Sequence, residues 1–468
     1  SAEFVASGTL PNGTPIILNS NGTVTAVAGV IGGVGTKSTF STGAISSSKP
    51  IASVFDSNLN KILIFYRDSG NSNKGMGVVA SINGSAMTVG TPVVFESNAA
   101  DKITAVFDTN SNKAVIAWHE NGVTDDFRSV VATASGTTMS FGSVYTLAGF
   151  GIYYVTMCFD SNVNKVVLSY RDVGNQQGSS RVGTISGTSI SYAGESNFTS
   201  NAGGGFWSTF DTTSNRIIIV YLDASNSYYA TINSGSVSGT SVNWATETVF
   251  NSANTSSAMR CIYDPSSNRT VLVYTYGNQY GTAKAALMTG TSFTFGSATV
   301  FSAVNTYTND LVVDTNANQL ILSYSTASGN FIMYFTVSGL VFTFGSTAAF
   351  ITSARSLNVS AVFDTNSNLP VISYSDPLLS GLGSVVTIAP TNTNLTTTNF
   401  VGMPDAAYAS GATATVVAKG GVSLNQTSLT IGTTYFVQAD GTLGTSAGTP
   451  SVEAGRAISA TSLLLKGI

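Results

Sequence analysis

Charge is scarce in this sequence. Charged residues make up 9% of the 468 residues, against about a quarter in an ordinary soluble domain. The 19 Lys and Arg and the 23 Asp and Glu give a formal net charge of −4, and no run of cations occurs. A nucleic-acid-binding protein needs a basic face to contact phosphates, so we expect no nucleic-acid partner. Hydrophobic residues reach 43%, which excludes a disordered chain because ample apolar surface is available to bury.

The groups that carry metal and nucleophilic chemistry are also few. The sequence has two cysteines, Cys158 and Cys261, and a single histidine, His119. Neither a Cys-x-x-Cys pair nor a cluster of histidines is present, so a zinc site or a histidine relay cannot be built. We therefore expect no cofactor, no metal and no catalytic residues. No apolar run approaches the ~18 residues of a membrane span, and we expect no membrane insertion.

One phrase of the sequence recurs seven times. Each copy contains an apolar run, an Asp, an Asn four residues later, and an aromatic residue ten residues after the Asp. The first three copies read VFDSNLNKILIFYRD, VFDTNSNKAVIAWHE and CFDSNVNKVVLSYRD. The repeat aspartates, spaced 50 to 53 residues apart, are Asp56, Asp108, Asp160, Asp211, Asp264, Asp314 and Asp364. Three fixed offsets in seven copies indicate a structural repeat.

This phrase predicts a β-hairpin. Asp bonds backbone amides two residues on, and Asn tolerates the left-handed conformation in which a strand reverses. Two further strand-like runs follow in most copies, and four strands in about 51 residues are typical of a propeller blade. We predict an all-β fold, a seven-bladed β-propeller of four-stranded blades over residues 36–395. The Asp and Asn are interpreted as turn caps rather than calcium ligands, and the repeated aromatics as core.

The chain ends lack the repeat but resemble each other. Residues from Gly13 read GTPIILNSNGTVTAVAG, and residues from Gly432 read GTTYFVQADGTLGTSAG. The Asn-Gly and Asp-Gly dipeptides suit two-residue hairpin turns. We predict an N-terminal β-hairpin segment over residues 1–35 and a C-terminal β module over residues 396–468, with the two ends pairing in one small module.

The terminal stretches resemble a known class of protein. SLTIGTTYFVQADGTLGT and PSVEAGRAISATSLLLKG, and the N-terminal FVASGTLPNGTPIILNSNGTVTAV, are similar to short β modules at the ends of tailed-bacteriophage fibre and other virion proteins. The resemblance implies a virion protein with a receptor-binding role. The repeat phrase differs from the sialidase Asp-box, from the Gly-Gly signature of kelch repeats and from the Trp-Asp of WD repeats, so it carries over no site residue.

Irregular residues mark one face of the predicted propeller. Tight turns within the repeat phrase lie on one face, and the loops after the second and fourth strands lie on the other. Arg, carboxylates and unpatterned aromatics concentrate in those loops, the combination that a sugar-binding surface uses. The alternative is a set of solvated loops with local ion pairs of little energy. The candidate ligand-binding residues are Arg67, Asp68, His119, Glu120, Tyr153, Tyr154, Arg171, Asp172, Trp207, Tyr276 and Tyr307.

Three functions remain open from the sequence. The first is a phage virion structural protein that displays the propeller for recognition of a host cell-surface glycan or protein, binds other virion proteins through its terminal β modules, and forms a homo-oligomer. The second is a purely structural particle component that docks to neighbouring subunits. The third is a secreted polysaccharide-degrading enzyme, for which two carboxyls about 5–10 Å apart are required. The sequence singles out no such pair of carboxyls, so we expect no enzymatic activity. From the resemblance of the terminal segments we expect a protein of the virion, or otherwise a secreted protein.

Overall fold

Nearly every regular element of this chain is a β-strand. The computed structural model describes residues 1–27, 33–45, 51–83, 86–121, 126–147, 152–253, 255, 258–276, 279–315, 318–352, 354–356, 358–388, 393–439, 441–448 and 450–467, without the side chains of residues 276, 308, 309 and 346. The exceptions in that part of the chain are three short 3₁₀ turns, Ser69–Asn71, Ala224–Asn226 and Pro377–Leu379. No helix among these residues has the length and apolar character that a membrane crossing requires. The chain divides into two compact units, residues 34–389, and residues 1–33 with 390–468.

The strands of residues 34–389 form successive antiparallel units, which we call blades. Each blade has four strand positions, and in blades 2 and 4 the fourth position is occupied by two short strands that both pair with the third strand. Blade 1 contains Ala52–Asp56, Lys61–Asp68, Lys74–Asn83 and Ala86–Val89. Blade 2 contains Val93–Asp108, Lys113–Glu120, Phe127–Ser135, Thr138–Phe141 and Tyr145–Leu147. Blade 3 contains Ile152–Asp160, Lys165–Asp172, Gly178–Ser186 and Ser189–Thr199. Blade 4 contains Ala202–Asp211, Arg216–Asp223, Tyr229–Ser238, Ser241–Trp244 and Thr248–Asn251.

Three more blades follow along the chain. Blade 5 contains Arg260–Asp264, Arg269–Tyr276, Tyr280–Thr289 and Ser292–Phe295. Blade 6 contains Thr299–Asp314, Gln319–Thr326, Gly329–Ser338 and Val341–Thr352. Blade 7 contains Val359–Asp364, Leu369–Asp376, Leu382–Thr387 and, from the start of the unit, Ser38–Ala44. The two longest strands, Val93–Asp108 and Thr299–Asp314, pair first with the preceding blade and then begin their own.

The blades are arranged in a closed ring. The strand that ends at each repeat Asp, here called the inner strand, contacts the inner strand of the next blade, and the inner strand of blade 7 contacts that of blade 1. Seven such units among the described residues are compatible with the seven copies of the repeat phrase. The predicted all-β propeller class is confirmed.

Six of the seven repeat Asp side chains, those of blades 1 to 5 and blade 7, accept a backbone hydrogen bond from the turn that follows. The corresponding amides after Asp314 lie outside the described residues. In blade 2, Asp108 Oδ1 accepts hydrogen bonds from the amides of Asn110 and Ser111, at 2.8 and 3.1 Å. The Asn four residues after the Asp is left-handed in every copy, with φ between 53° and 58°. The turn-cap interpretation is therefore confirmed. No group of three or more metal-ligating side chains occurs among the residues that the structure describes.

Apolar packing between neighbouring blades forms the core. The repeated aromatics are all buried in it: Tyr66, Trp118, Tyr170, Tyr221, Tyr274, Tyr324 and Tyr374. The polar atoms of several are bonded, as where Trp118 Nε1 donates to Glu96 Oε2 at 3.1 Å. Cys158 and Cys261 are buried free thiols, and burial raises the pKa of Cys158 to about 12.

Side chains connect the inner strands, which do not pair with one another. Thr156 Oγ1 in blade 3 accepts from the amide of Ser208 in blade 4 at 3.2 Å. Ser360 Oγ in blade 7 accepts in the same way from the amide of Ser53 in blade 1 at 3.0 Å. These bonds satisfy backbone amides that no strand partner reaches, since buried N–H groups are costly when left unpaired.

The second unit contains two small sheets. One has the strand order Ala2–Val5, Thr413–Ala418, Phe400–Pro404, Ile16–Leu18 and Val24–Ala26, so the two chain ends share it. The other has the order Val422–Ser423, Leu463–Leu465, Val452–Ala457, Thr434–Val437 and Leu443–Gly444. Of the predicted C-terminal turn, Asp440 lies outside the described residues.

The left-handed turn residue provides a test of this fold. Asn112 has φ +53°, and a residue with a Cβ and no local hydrogen bond pays about 1–2 kcal/mol there. We expect Asn112→Ala to lower the urea midpoint of unfolding clearly, and Asn112→Gly, which lacks a Cβ, to lower it less. Equal midpoints for the two variants would contradict the role of backbone conformation at this turn.

Candidate functional site

A cavity of about 530 Å³ lies among the inner strands of the propeller. It is located toward the end at which these strands begin, away from the Asp-Asn turns that follow them. In every blade, the residue four positions before the repeat Asp lines the cavity. These residues, in blade order, are Ala52, Thr104, Thr156, Trp207, Arg260, Asp310 and Ser360.

These seven residues differ in size around the ring. Those of blades 7, 1, 2 and 3 have short side chains, whereas blades 4, 5 and 6 contribute Trp207, Arg260 and Asp310 in succession. The guanidinium carbon of Arg260 lies 3.9 Å from the centre of the Trp207 ring, within the range of a cation–π contact. On its other side, Arg260 Nε lies 3.7 Å from Asp310 Oδ1. Three consecutive blades thus place an aromatic, a cation and a carboxylate in one row.

Asp310 is held by backbone amides. Its Oδ1 accepts from the amide of Leu311 at 3.0 Å, and its Oδ2 accepts from the amide of Ala361 in blade 7 at 2.8 Å. Burial raises the pKa of this carboxyl, while Arg260 and the two amides act in the opposite direction. Burial likewise lowers the pKa of Arg260, against the effect of Asp310. The amides and the guanidinium together stabilise the carboxylate at the wall of the cavity.

Two adjacent tyrosines of blade 3 contribute partly exposed rings to the cavity. Tyr153 and Tyr154 line it, and they are 45% and 41% exposed, high values for large side chains. The ammonium of Lys102, from blade 2, lies 3.3 Å above the centre of the Tyr153 ring. The register of the blade 3 hairpin shifts between Tyr153 and Thr156, so a bulge turns these side chains toward the opening.

The bulges hold the lining in an unusual backbone conformation. Lys102 and Tyr154 stand six residues before their repeat Asp and have φ of +51° and +53°. Gly205, at the same position in blade 4, has φ +69°. Left-handed residues with large side chains cost about 1–3 kcal/mol each and cluster at functional sites.

Gly204 makes room for the Tyr154 ring. Its φ is +140°, and a Cβ added there would lie 2.8 Å from Tyr154 Cζ. Tyr154 also packs against Phe206 with ring centres 6.0 Å apart. The exposed tyrosine is therefore fixed by the backbone of the neighbouring blade.

The structure brings some of the predicted residues together at this cavity. Tyr153, Tyr154 and Trp207 all line it. They lie within inner strands, in Ile152–Asp160 and Ala202–Asp211, and not in the loops to which the sequence assigned them. Bulges explain why these residues lie in strands and not in loops, because a strand can continue past a residue that breaks the pairing register.

Six other candidates lie elsewhere, at the ends of the second strands of blades 1 to 3. They are Arg67, Asp68, His119, Glu120, Arg171 and Asp172. The sequence placed them in exposed loops, whereas Asp68, His119, Glu120 and Asp172 are buried. Asp68 and Asp172 accept from the amides of Gly70 and Gly174, at 2.9 and 2.7 Å. Their carboxylates cap the loops that follow, which accounts for their burial, and Arg67 is ion-paired with the buried Asp101.

The last two candidates are also outside the cavity lining that the structure describes. Tyr307 lies beneath Arg355, from the connection between blades 6 and 7, whose guanidinium carbon is 3.7 Å from the ring centre. Tyr276 ends the strand Arg269–Tyr276, and its side chain lies outside the described residues.

The sequence reasoning missed the central residue of the site. Arg260 and Asp310 were both absent from the candidates. The signal was present in the repeats: four positions before the Asp, the seven copies have Ala, Thr, Thr, Trp, Arg, Asp and Ser. Packing positions keep one residue type, so this diversity marks a position that core packing does not determine.

Comparisons with known proteins show only distant structural similarity. No protein-family model matches the sequence, and no curated protein matches it. The Aleuria aurantia lectin in complex with Fucα1-6GlcNAc is 12% identical, with a TM-score of 0.43 over 66% of this chain and 97% of the lectin. The Dos1 propeller is 9% identical, with a TM-score of 0.41 over 80% of this chain and 81% of that chain. An exo-β-1,3-galactanase from Phanerochaete chrysosporium is 9% identical, with a TM-score of 0.35 over 78% of this chain and 97% of the galactanase. Similarities of this size assign no function to the chain.

Gly204→Ala tests the fixed position of Tyr154. We expect a loss of about 1–3 kcal/mol in the free energy of unfolding, because the new methyl group overlaps the tyrosine ring. In a Tyr154→Ala background the loss should shrink, since only the backbone penalty remains. Gly187→Ala is the matched control, because Gly187 has φ +60° and no atom within 4 Å of the added Cβ. If Tyr154→Ala reduced both losses equally, the packing of Tyr154 on Gly204 would be disproved.

Proposed function

We propose that this propeller binds carbohydrate in its axial cavity. The observation that supports the proposal is the row of Trp207, Arg260 and Asp310 in a cavity of about 530 Å³. Small-molecule sites measure about 300–1,000 Å³ and combine apolar walls with a few polar groups. This cavity has both, on a rigid ring of strands.

The chemistry of the lining suits a sugar. Aromatic rings stack on the C–H faces of pyranoses, and Trp207, Tyr153 and Tyr154 offer three rings around one space. The hydroxyl groups of a sugar bind to uncharged hydrogen-bond donors and acceptors. These are supplied by a further set of lining residues, Ser53, Thr104, Thr156, Ser208, Asn358 and Ser360. The arrangement favours a ligand with one apolar face and many hydroxyls.

We propose that the cavity binds carbohydrate without cleaving it, because of the carboxylates that line it. Glycoside hydrolysis uses two carboxyls about 5–10 Å apart. Asp310 is the one carboxylate among the described residues that line the cavity. Both of its oxygens accept backbone hydrogen bonds, which leaves it poorly suited to protonate a leaving group.

We extend the proposal to a viral particle on which the propeller recognises a glycan of the host surface. The support is the resemblance of the terminal segments to phage virion modules. The purified chain should then compete with particles for adsorption to host cells. Undiminished adsorption in the presence of saturating chain would remove this part of the proposal and leave carbohydrate binding untouched.

Trp207→Ala is the direct test of the cavity. We expect retention on a polysaccharide panel to fall at least ten-fold, because the ring is the largest apolar surface in the lining, while reducing ends stay constant in the same wells. The control is Tyr228→Ala, which removes an aromatic that is 57% exposed and outside the lining. Equal retention by the Trp207 variant and the parent would refute the site. New reducing ends would refute binding without cleavage.

A further inference from the structure

A second pocket, of about 350 Å³, lies between blades 3 and 4. Its described lining shares no residue with that of the axial cavity. Blade 3 contributes the end of strand Ser189–Thr199. Blade 4 contributes strand Tyr229–Ser238 and the link that follows Ser241–Trp244. The lining residues are mostly polar, and they are Gln177, Asn197, Phe198, Thr199, Ser200, Asn233, Ala245, Thr246 and Glu247.

In blade 3, a triangle of side chains occupies the position that corresponds to this pocket. Arg181 Nε donates to Tyr170 Oη at 2.8 Å, and Arg181 Nη2 donates to Glu195 Oε2 at 2.8 Å. Tyr170 Oη also donates to the same carboxylate oxygen, at 2.7 Å. The carboxylate of blade 3 is therefore paired with a guanidinium of its own blade through a charged hydrogen bond.

Blade 4 keeps the tyrosine and the carboxylate of this triangle. Tyr221 stands at the repeat position of Tyr170, and its hydroxyl donates to Glu247 Oε2. Glu247 and Glu195 each lie three residues before a buried phenylalanine. Burial, and then the hydrogen bond to Glu247, raise the pKa of Tyr221, so the phenol stays a donor.

The cation of the triangle is missing from blade 4. Arg181 pairs with Leu168, eight residues after the repeat Asp, and the residue paired at that position in blade 4 is Asn233. Asn233 is uncharged, and its Nδ2 donates to the carbonyl of Phe198 at 3.2 Å. Within the described part of the chain, no ion pair involves Glu247. The shorter side chain thus leaves a pocket beside a carboxylate that the fold does not neutralise.

We infer that this pocket binds the protonated amine of an amino sugar, in the place that Arg181 occupies in blade 3. Glu247 is exposed, so a ligand can reach it, and an ammonium that donates to its carboxylate forms a charged hydrogen bond. The amide and hydroxyl side chains of the lining suit the hydroxyl groups of a sugar. A lysine side chain would instead bury its carbon stem along apolar surface. The inference is independent of the proposed function, because the two sites share no residue.

Matched sugars test the inference. The probes are oligomers of glucosamine and the same oligomers after N-acetylation, which removes the positive charge and keeps the sugar rings. At about pH 6, where amines are protonated, we expect the glucosamine oligomers to bind the full chain about ten-fold more tightly than the acetylated ones. The difference should shrink as salt is raised. Equal binding of the two forms would overturn the inference.

Oligolysine distinguishes an amino sugar from a basic peptide. We expect it to bind more weakly than the glucosamine oligomers, because the described lining offers little apolar surface to its carbon stems. Tighter binding of oligolysine that is lost in Glu247→Gln would overturn the choice of a sugar.

Two variants place the amine at this pocket. Glu247→Gln removes the charge and keeps an acceptor for the Tyr221 hydroxyl, so affinity for the glucosamine oligomers should fall about ten-fold. Asn233→Arg restores the cation that blade 3 has, and its pairing with Glu247 should lower the affinity by a similar factor. The matched control is Glu3→Gln, which removes an exposed carboxylate outside the lining and should leave the affinity unchanged. Unchanged binding by Glu247→Gln, or an equal loss in the control, would overturn the inference.

Trp207→Ala separates this pocket from the axial cavity. Trp207 lines the axial cavity and not this pocket, so its loss should leave the preference for the amine intact. Loss of that preference in Trp207→Ala would place the amine in the axial cavity and overturn the inference, while carbohydrate binding there would stand. If Glu247→Gln loses the preference and Trp207→Ala binds every polysaccharide as the parent does, the amine site stands and the proposed function fails.

Discussion

The whole propeller depends on the closure of a ring by one strand. Blade 7 takes three strands from the end of the repeat region, and its fourth, Ser38–Ala44, comes from the start. Ser41 Oγ accepts a hydrogen bond from the amide of Gly383 at 2.7 Å. Ser360 Oγ in blade 7 accepts one from the amide of Ser53 in blade 1. Without Ser38–Ala44, the edge of blade 7 would expose unpaired backbone N–H and C=O groups, and this strand pairs with them from within the same chain. Closure fixes the distance of every inner strand from the axis, and with it the width of the cavity.

A closed ring imposes different demands on different positions of the repeat. The Asp and Asn must form the turn, and the aromatic ten residues on must fill the space between blades, so these positions are constant. The position four residues before the Asp lines the cavity, and residues as different as Ala52 and Trp207 occur there. Rigid walls with a freely variable lining are what a binding site needs, because side chains on fixed strands are held in place without loops.

The repeat phrase was sufficient to predict the fold because turn and core residues act locally and recur. The site was only partly predictable. Trp207, Tyr153 and Tyr154 were found because irregular aromatics stand out, while Asp68 and Glu120 were expected in exposed loops although they are buried. A carboxylate that caps a loop and one that meets solvent look alike in sequence, since the difference is a hydrogen bond to an amide two residues away. Arg260 was missed because it lies next to Cys261 within a strand, and its partners Trp207 and Asp310 come from blades about 50 residues away in either direction.

Because charged residues are few in this chain, each charged side chain of the blades can be examined for a structural partner. Many carboxylates of the blades have structural partners: six repeat aspartates cap turns, Asp68 and Asp172 cap loops, and Glu96 and Glu195 pair closely with arginines. Burying an ion is costly unless it is paired and hydrogen-bonded, so each of these charges is explained by the fold. Arg260 is different, because it lies between the ring of Trp207, at 3.9 Å, and a carboxylate, at 3.7 Å, whose two oxygens already accept from backbone amides. A ring stabilises a cation without neutralising it. Arg260 is therefore a charge at the cavity wall that neither turn capping nor a close ion pair explains.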